Sequence, residues 1–140
     1  MDKKALILVV DDNSECRKLL ESVLELHGFR TISAGGGLQA VELAIKFQPG
    51  LVLMDLSMPG MDGFEATQAI HAHRRGRKIP VVAVSSYCLD YGFVTAAFKA
   101  RFSACIGKPW EEEALLRMVT KVLARSVERE ACFSTLEKTG

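Results

Sequence analysis

Apolar and polar positions follow one another along this chain in two alternating rhythms. Short continuous apolar runs, from Ala5 to Val10, Leu51 to Met54 and Val81 to Val84, read as strands covered on both faces. Shorter stretches at about Arg30 to Ala34 and Ser103 to Ile106 read as two more strands. Between them the period changes to that of an amphipathic helix. Cys16, Leu19, Leu20, Val23 and Leu24 form one stripe, and Leu38, Val41, Ala44 and Ile45 a second. Phe64, Ala66, Ala69 and Ile70 form a third, a weaker helix spans about Val94 to Ala100, and Leu115, Met118, Val119 and Val122 form the last. Breaks fall where the rhythm changes: Gly28 at a helix C-cap, Pro49-Gly50, Met58-Pro59-Gly60 and Pro80. Glu111, Glu112 and Glu113 favour the positive end of the last helix.

Strand then helix, five times over, predicts an α/β fold with a parallel sheet and right-handed crossovers. The expected architecture is a flavodoxin-like, doubly wound sandwich: a five-stranded parallel sheet of order 2-1-3-4-5 with five helices. The units occupy about residues 4–125 as one domain. Residues 126–140 are expected to extend the last helix or form a tail, with no output domain.

Composition narrows the function. Of 140 residues, 49% are hydrophobic and 25% charged, enough for a real core. Eighteen Lys and Arg against 17 Asp and Glu leave +1, which argues against a broad DNA-binding surface. No apolar run reaches membrane length, and the one after Lys4 is too short for an export signal. Cys16, Cys88, Cys105 and Cys132 form no C-x-x-C pair and read as reduced, mostly buried thiols of a cytoplasmic protein.

The chemistry collects at the carboxyl ends of the predicted strands, where open α/β sheets bind ligands. Strand one ends in Asp11-Asp12, strand three in Asp55, strand four in Ser85, and strand five runs into Lys108-Pro109. Singly each has a plain explanation: a helix cap for Asp11 or Asp12, a loop acid, a turn serine, a surface lysine. Together they make one site. Like-charged carboxylates at 4 Å repel by about 4 kcal/mol at an effective dielectric near 20, which a hard divalent cation such as Mg²⁺ would relieve. Lys108 and Ser85 would then face the oxygens of a transferring phosphoryl group. A carboxylate needs no base to act as its nucleophile.

These stretches are similar to the receiver domain of two-component response regulators. The resemblance covers about residues 4–125 and rests on Ile7 to Asn13, Leu51 to Phe64, Pro80 to Ser85 and Lys108-Pro109. Its most specific part is the acid closing strand three followed by Met58-Pro-Gly-Met-Asp-Gly63. The resemblance implies that Asp55 accepts a phosphoryl group from a histidine kinase or histidine phosphotransfer protein. It implies Mg²⁺ held by Asp11, Asp12, Asp55 and the backbone carbonyl of Ser57, with Lys108 and Ser85 contacting the phosphoryl group. It also implies output to a downstream protein through the helix 4, strand 5 and helix 5 face, with homodimerisation left open. Such a module catalyses its own phosphorylation and dephosphorylation without being a turnover enzyme. Receivers often place an aromatic in strand five, three residues before the lysine; here Cys105 stands there, and Tyr87 is the substitute considered.

Four other readings compete. Gly35-Gly36-Gly37-Leu38-Gln39-Ala40 fits a dinucleotide-binding fingerprint, but lies after the edge strand. An aspartate-nucleophile phosphatase would want D-x-D spacing, which Asp11-Asp12-Asn13 lacks. A receiver-like interaction module would have no need of the acids, lysine and serine. An excised receiver of a hybrid kinase would share the chemistry with an atypical readout. The basic run from His71 to Lys78 reads as a solvated loop, Trp110 as packing at the start of the last helix, and Met54, Met58 and Met61 as core and loop packing.

Overall fold

The structure is a computed structural model that describes residues 5–86, 88 and 96–139; of 96, 97 and 127–139 only the backbone is described. Its elements are β1 (Leu6–Val10), α1 (Ser14–Leu26), β2 (Arg30–Ala34), α2 (Gly37–Phe47), β3 (Leu51–Asp55), α3 (Gly63–Ala72), β4 (Val81–Val84), α4 (Ala96–Arg101), β5 (Ala104–Ile106) and α5 (Glu112–Thr139). The strands pair in parallel in the order β2-β1-β3-β4-β5, so the expected doubly wound sheet is the one observed.

The apolar runs are continuous because both sheet faces are covered, and period-two alternation deals their residues to two cores. Ile7, Val9, Leu51, Leu53, Val82 and Val84 pack with Leu20 and Leu24 of α1 and Leu115, Val119 and Val122 of α5. Leu8, Val10, Val52, Met54, Val81 and Ala83 pack with Ala40, Ala44, Ala66, Ile70 and Phe98. Trp110 lies half-buried against the first core, at the start of α5.

The helical stripes are narrower than the periodicity suggests. In α1, Leu20 and Leu24 are buried while Leu19 is 57% exposed. In α2, Ala40 and Ala44 face the sheet and Leu38 is exposed. A helix lying on a flat sheet buries only the line pointing straight at it, and small residues on that line allow close approach. Gly28, with φ +89°, follows the α1 cap as expected. The helix expected over Val94 to Ala100 appears as α4; its first expected residues, like Tyr87, lie outside the described residues. No described helix is long and apolar enough to cross a membrane.

Candidate functional site

Strand order reverses between β1 and β3, which opens a crevice at their carboxyl ends. Asp11 follows β1 directly and Asp55 closes β3; both are buried, at 1% and 6% exposure, and Asp12 is exposed. One carboxylate oxygen from each of Asp11, Asp12 and Asp55 lies within 4.8 Å of the others. Lys108 reaches them from beyond β5. Its Nζ donates to Asp11 Oδ2 at 2.9 Å and sits 3.6 Å from Asp55 Oδ2, an ion-pair distance. Ser85, buried at the end of β4, is tied by its N–H to the Ile106 carbonyl, and its own carbonyl accepts from Lys108 N–H. Four side chains scattered from residue 11 to 108 therefore meet, and Ser85 is seated beside Lys108 through its backbone.

Local chemistry positions the acids. The cap of α1 is Asn13, whose Oδ1 accepts from the Glu15 and Cys16 N–H groups, so neither Asp11 nor Asp12 is used as a cap. Asn13 N–H instead donates to Asp11 Oδ1 at 2.9 Å, and the Arg17 guanidinium donates to the Asp11 carbonyl at 2.7 Å. Asp55 Oδ1 accepts from Ser57 N–H at 3.2 Å, which turns the chain so that residue 57 lies beside the acid. The stretch beyond it has a physical reason at each step. Gly60 takes φ +75°. Asp62 caps α3 in a reciprocal capping box with Glu65. Gly63 packs so closely that a Cβ there would fall on the Asp55 carbonyl oxygen and the Leu56 backbone. The capping role of Asn13 and the Arg17 contact are additions of the structure; an Asn directly before the first helix is the sequence signal for the cap.

The electrostatics are strained without a cation. Burial pushes the Asp55 carboxyl above its ordinary value, opposed by Lys108 and the Ser57 N–H and reinforced by Asp11 and Asp12. Burial of Lys108 works to lower its pKa, but the hydrogen bond to Asp11 and the charges of Asp55 and Asp11 outweigh it and hold the ammonium above its ordinary value. Two buried carboxylates thus share one ammonium, with a third carboxylate at the mouth. This is an all-oxygen, net-negative donor set that suits a hard divalent cation.

The family model of the response regulator receiver domain matches residues 7–120. This chain belongs to that family. PilH of Pseudomonas aeruginosa is 35% identical over 120 residues, which cover 86% of this chain and 98% of PilH. The polar-differentiation response regulator DivK of Brucella ovis is 35% identical over 83 residues, 59% of this chain and 68% of DivK. Among solved structures, the receiver domain of a sensor histidine kinase from Pseudomonas aeruginosa superposes with a TM-score of 0.78 at 28% identity. The match covers 86% of this chain and 98% of that one, which carries a magnesium ion coordinated in its active site cleft.

One sequence expectation changes. The cysteines are not four reduced, mostly buried thiols: Cys88 and Cys105 form a disulfide and Cys16 is an exposed free thiol, while the Cys132 side chain lies outside the described residues. Residues 88 and 105 meet because Cys105 pairs opposite Ala83 in the sheet, beside the turn that follows β4. Within the glycine run after β2, Gly37 has a packing role, since a Cβ there would meet the Met61 backbone and side chain. His71 and His73 do not form a pair: His71 Nε2 contacts the Ile79 carbonyl and His73 Nδ1 accepts from Arg75 N–H.

Proposed function

We propose that this receiver takes a phosphoryl group onto Asp55 from the phosphohistidine of a histidine kinase or histidine phosphotransfer protein, in a Mg²⁺-dependent reaction. The observation that supports it most is the convergence of Asp11, Asp12 and Asp55 oxygens within 4.8 Å under the Lys108 ammonium. An Asp55 carboxylate oxygen forms the bond to phosphorus as the phosphorus–nitrogen bond to the donor imidazole breaks. That nitrogen keeps the bonding pair and takes a proton. Asp11, Asp12, Asp55 and the Ser57 carbonyl are the groups proposed to hold Mg²⁺, which when bound would neutralise charge on the phosphoryl oxygens. Lys108 shifts from Asp11 toward a phosphoryl oxygen, and the Ser85 hydroxyl donates to another. The module so acts on itself rather than turning over a substrate, in the cytoplasm where its kinase partner would present the phosphohistidine. Its output is proposed to run to a protein target through α4, β5 and α5.

Incubation with acetyl phosphate and Mg²⁺ tests this by intact mass. One phosphoryl adduct is expected, lost with EDTA and lost in Asp55→Asn. An adduct of equal yield in Asp55→Asn would overturn the assignment.

A further inference from the structure

We propose that Cys88 and Cys105 are a redox modification site that gates the phosphoryl pocket by locking or releasing the turn that carries Ser85. The proposal rests on the reading of Ser85 and Lys108 as phosphoryl contacts. Two features carry it: the covalent link itself, and its position in the hydrogen-bonded ladder around Ser85.

The Cα atoms of Cys88 and Cys105 are 5.7 Å apart, within the range that a disulfide spans without backbone movement. Each cysteine stands three residues from a site residue, Cys88 after Ser85 and Cys105 before Lys108. The Ser85 carbonyl accepts from Cys88 N–H at 3.1 Å and from Lys108 N–H at 3.3 Å, and Ser85 N–H donates to Ile106 at 3.0 Å. Cys88 Sγ also approaches the Ala83 carbonyl, at 3.9 Å. The turn after β4 and the strand leading to Lys108 are therefore joined by backbone hydrogen bonds, which can exchange partners, and by one covalent bond, which cannot. Both cysteines are half-buried and pack against the core that holds Phe98 and Phe102, so a reagent can reach them from the surface.

A phosphoryl group on Asp55 brings oxygens that need donors from Ser85 and Lys108, so both loops must adjust around it. With the disulfide closed, the two segments stay tied and resist that adjustment. With it open, two small thiols remain in van der Waals contact and the turn is free to move. Closure uses a low-molecular-weight disulfide as oxidant. One cysteine thiolate attacks an oxidant sulfur and displaces the first thiolate. The second cysteine attacks the mixed disulfide and displaces the other. Two electrons pass to the oxidant, and the two cysteine protons end on its two released thiols. Reduction by a dithiol reverses each step.

The test uses the full chain, equilibrated with oxidised or reduced glutathione. Thiol counting after denaturation should give two titratable thiols in the oxidised protein and four in the reduced one. Peptide mapping should place the link between Cys88 and Cys105. Acetyl phosphate labelling of Asp55 should be at least fivefold slower in the oxidised form, and the difference should vanish in Cys88→Ser/Cys105→Ser. Four thiols under both conditions, or a link to Cys16 or Cys132, would overturn the site. A mapped 88–105 link with equal labelling in both states would overturn the gate while leaving the phosphoacceptor reading intact. Absence of labelling in both states, and in the double variant, would overturn that reading and the gate with it, while the mapped link would uphold the redox site.

Discussion

The two halves of the pocket are built differently. On the β1–β3 side the acids are held by neighbours in sequence. Asn13 N–H and Ser57 N–H each bond a carboxylate two residues away, Asp62 and Glu65 close a local capping box, and Gly63 packs under the Asp55 carbonyl. On the β4–β5 side nearly every link spans a long stretch of chain. Ser85 is bonded to Ile106 and Lys108, Cys88 is joined to Cys105, and the Lys108 ammonium reaches Asp11 across 97 residues. The acid half forms at little entropic cost because each short loop closes on itself. The other half depends on the sheet and on the Cys88–Cys105 link to bring its pieces together.

The difference can be broken by substitution. Lys108→Met removes the cation shared by two buried carboxylates. It is expected to destabilise the metal-free protein by about 2 kcal/mol, below the roughly 3–5 kcal/mol of a fully buried pair because the lysine is partly exposed. Saturating Mg²⁺ should return most of that loss in urea denaturation. Equal stability of parent and variant without metal would mean that Lys108 does not offset the carboxylate repulsion.

Gly63→Ala probes the local half. Its methyl has no room against Asp55 and Leu56, so a loss of about 1–2 kcal/mol is expected. Gly36→Ala, with open space at that position, should change stability far less. If the two alanines behave alike in thermal unfolding, the close approach of α3 to β3 is not what seats Asp55.

The smallest effect is a stability difference that depends on pH. The Asp55 pKa is raised by folding, so the native state holds its proton more tightly than the unfolded chain does. Its stabilising contribution is present below the ordinary value of 3.8 and is lost as pH rises through the folded value. Metal-free Asp55→Asn should therefore be more stable than the parent at neutral pH, by about 1 kcal/mol or less, with the gap closing in acid. Mg²⁺ should invert the order, because the parent gains binding energy that the amide cannot match. A gap unchanged from pH 3 to pH 7 would show that the Asp55 charge is not destabilising.

Most of the acid half could be read directly. Asp11, Asp12 and Asp55 each follow a visible apolar strand, and the Met58 to Gly63 stretch carries its turn, cap and close-packed glycine in order. Helix faces were harder: Leu19 and Leu38 fit the periodic stripes yet are exposed, because periodicity marks an apolar side but not how narrow a line touches the sheet.

The residues alone determined the alternation of five strands and helices, the parallel sheet and the set of groups at its carboxyl edge, because period, turn chemistry and strand-end position are local properties. Only the tertiary structure decided that Asn13 rather than Asp11 or Asp12 caps α1, that one ammonium serves two buried carboxylates, and that Cys88 and Cys105 are partners. Those outcomes turn on distances between groups far apart in sequence or on competition between neighbouring side chains for the same N–H. The register of β4 against β5 sets Cys105 opposite Ala83, beside the turn that brings Cys88 to it.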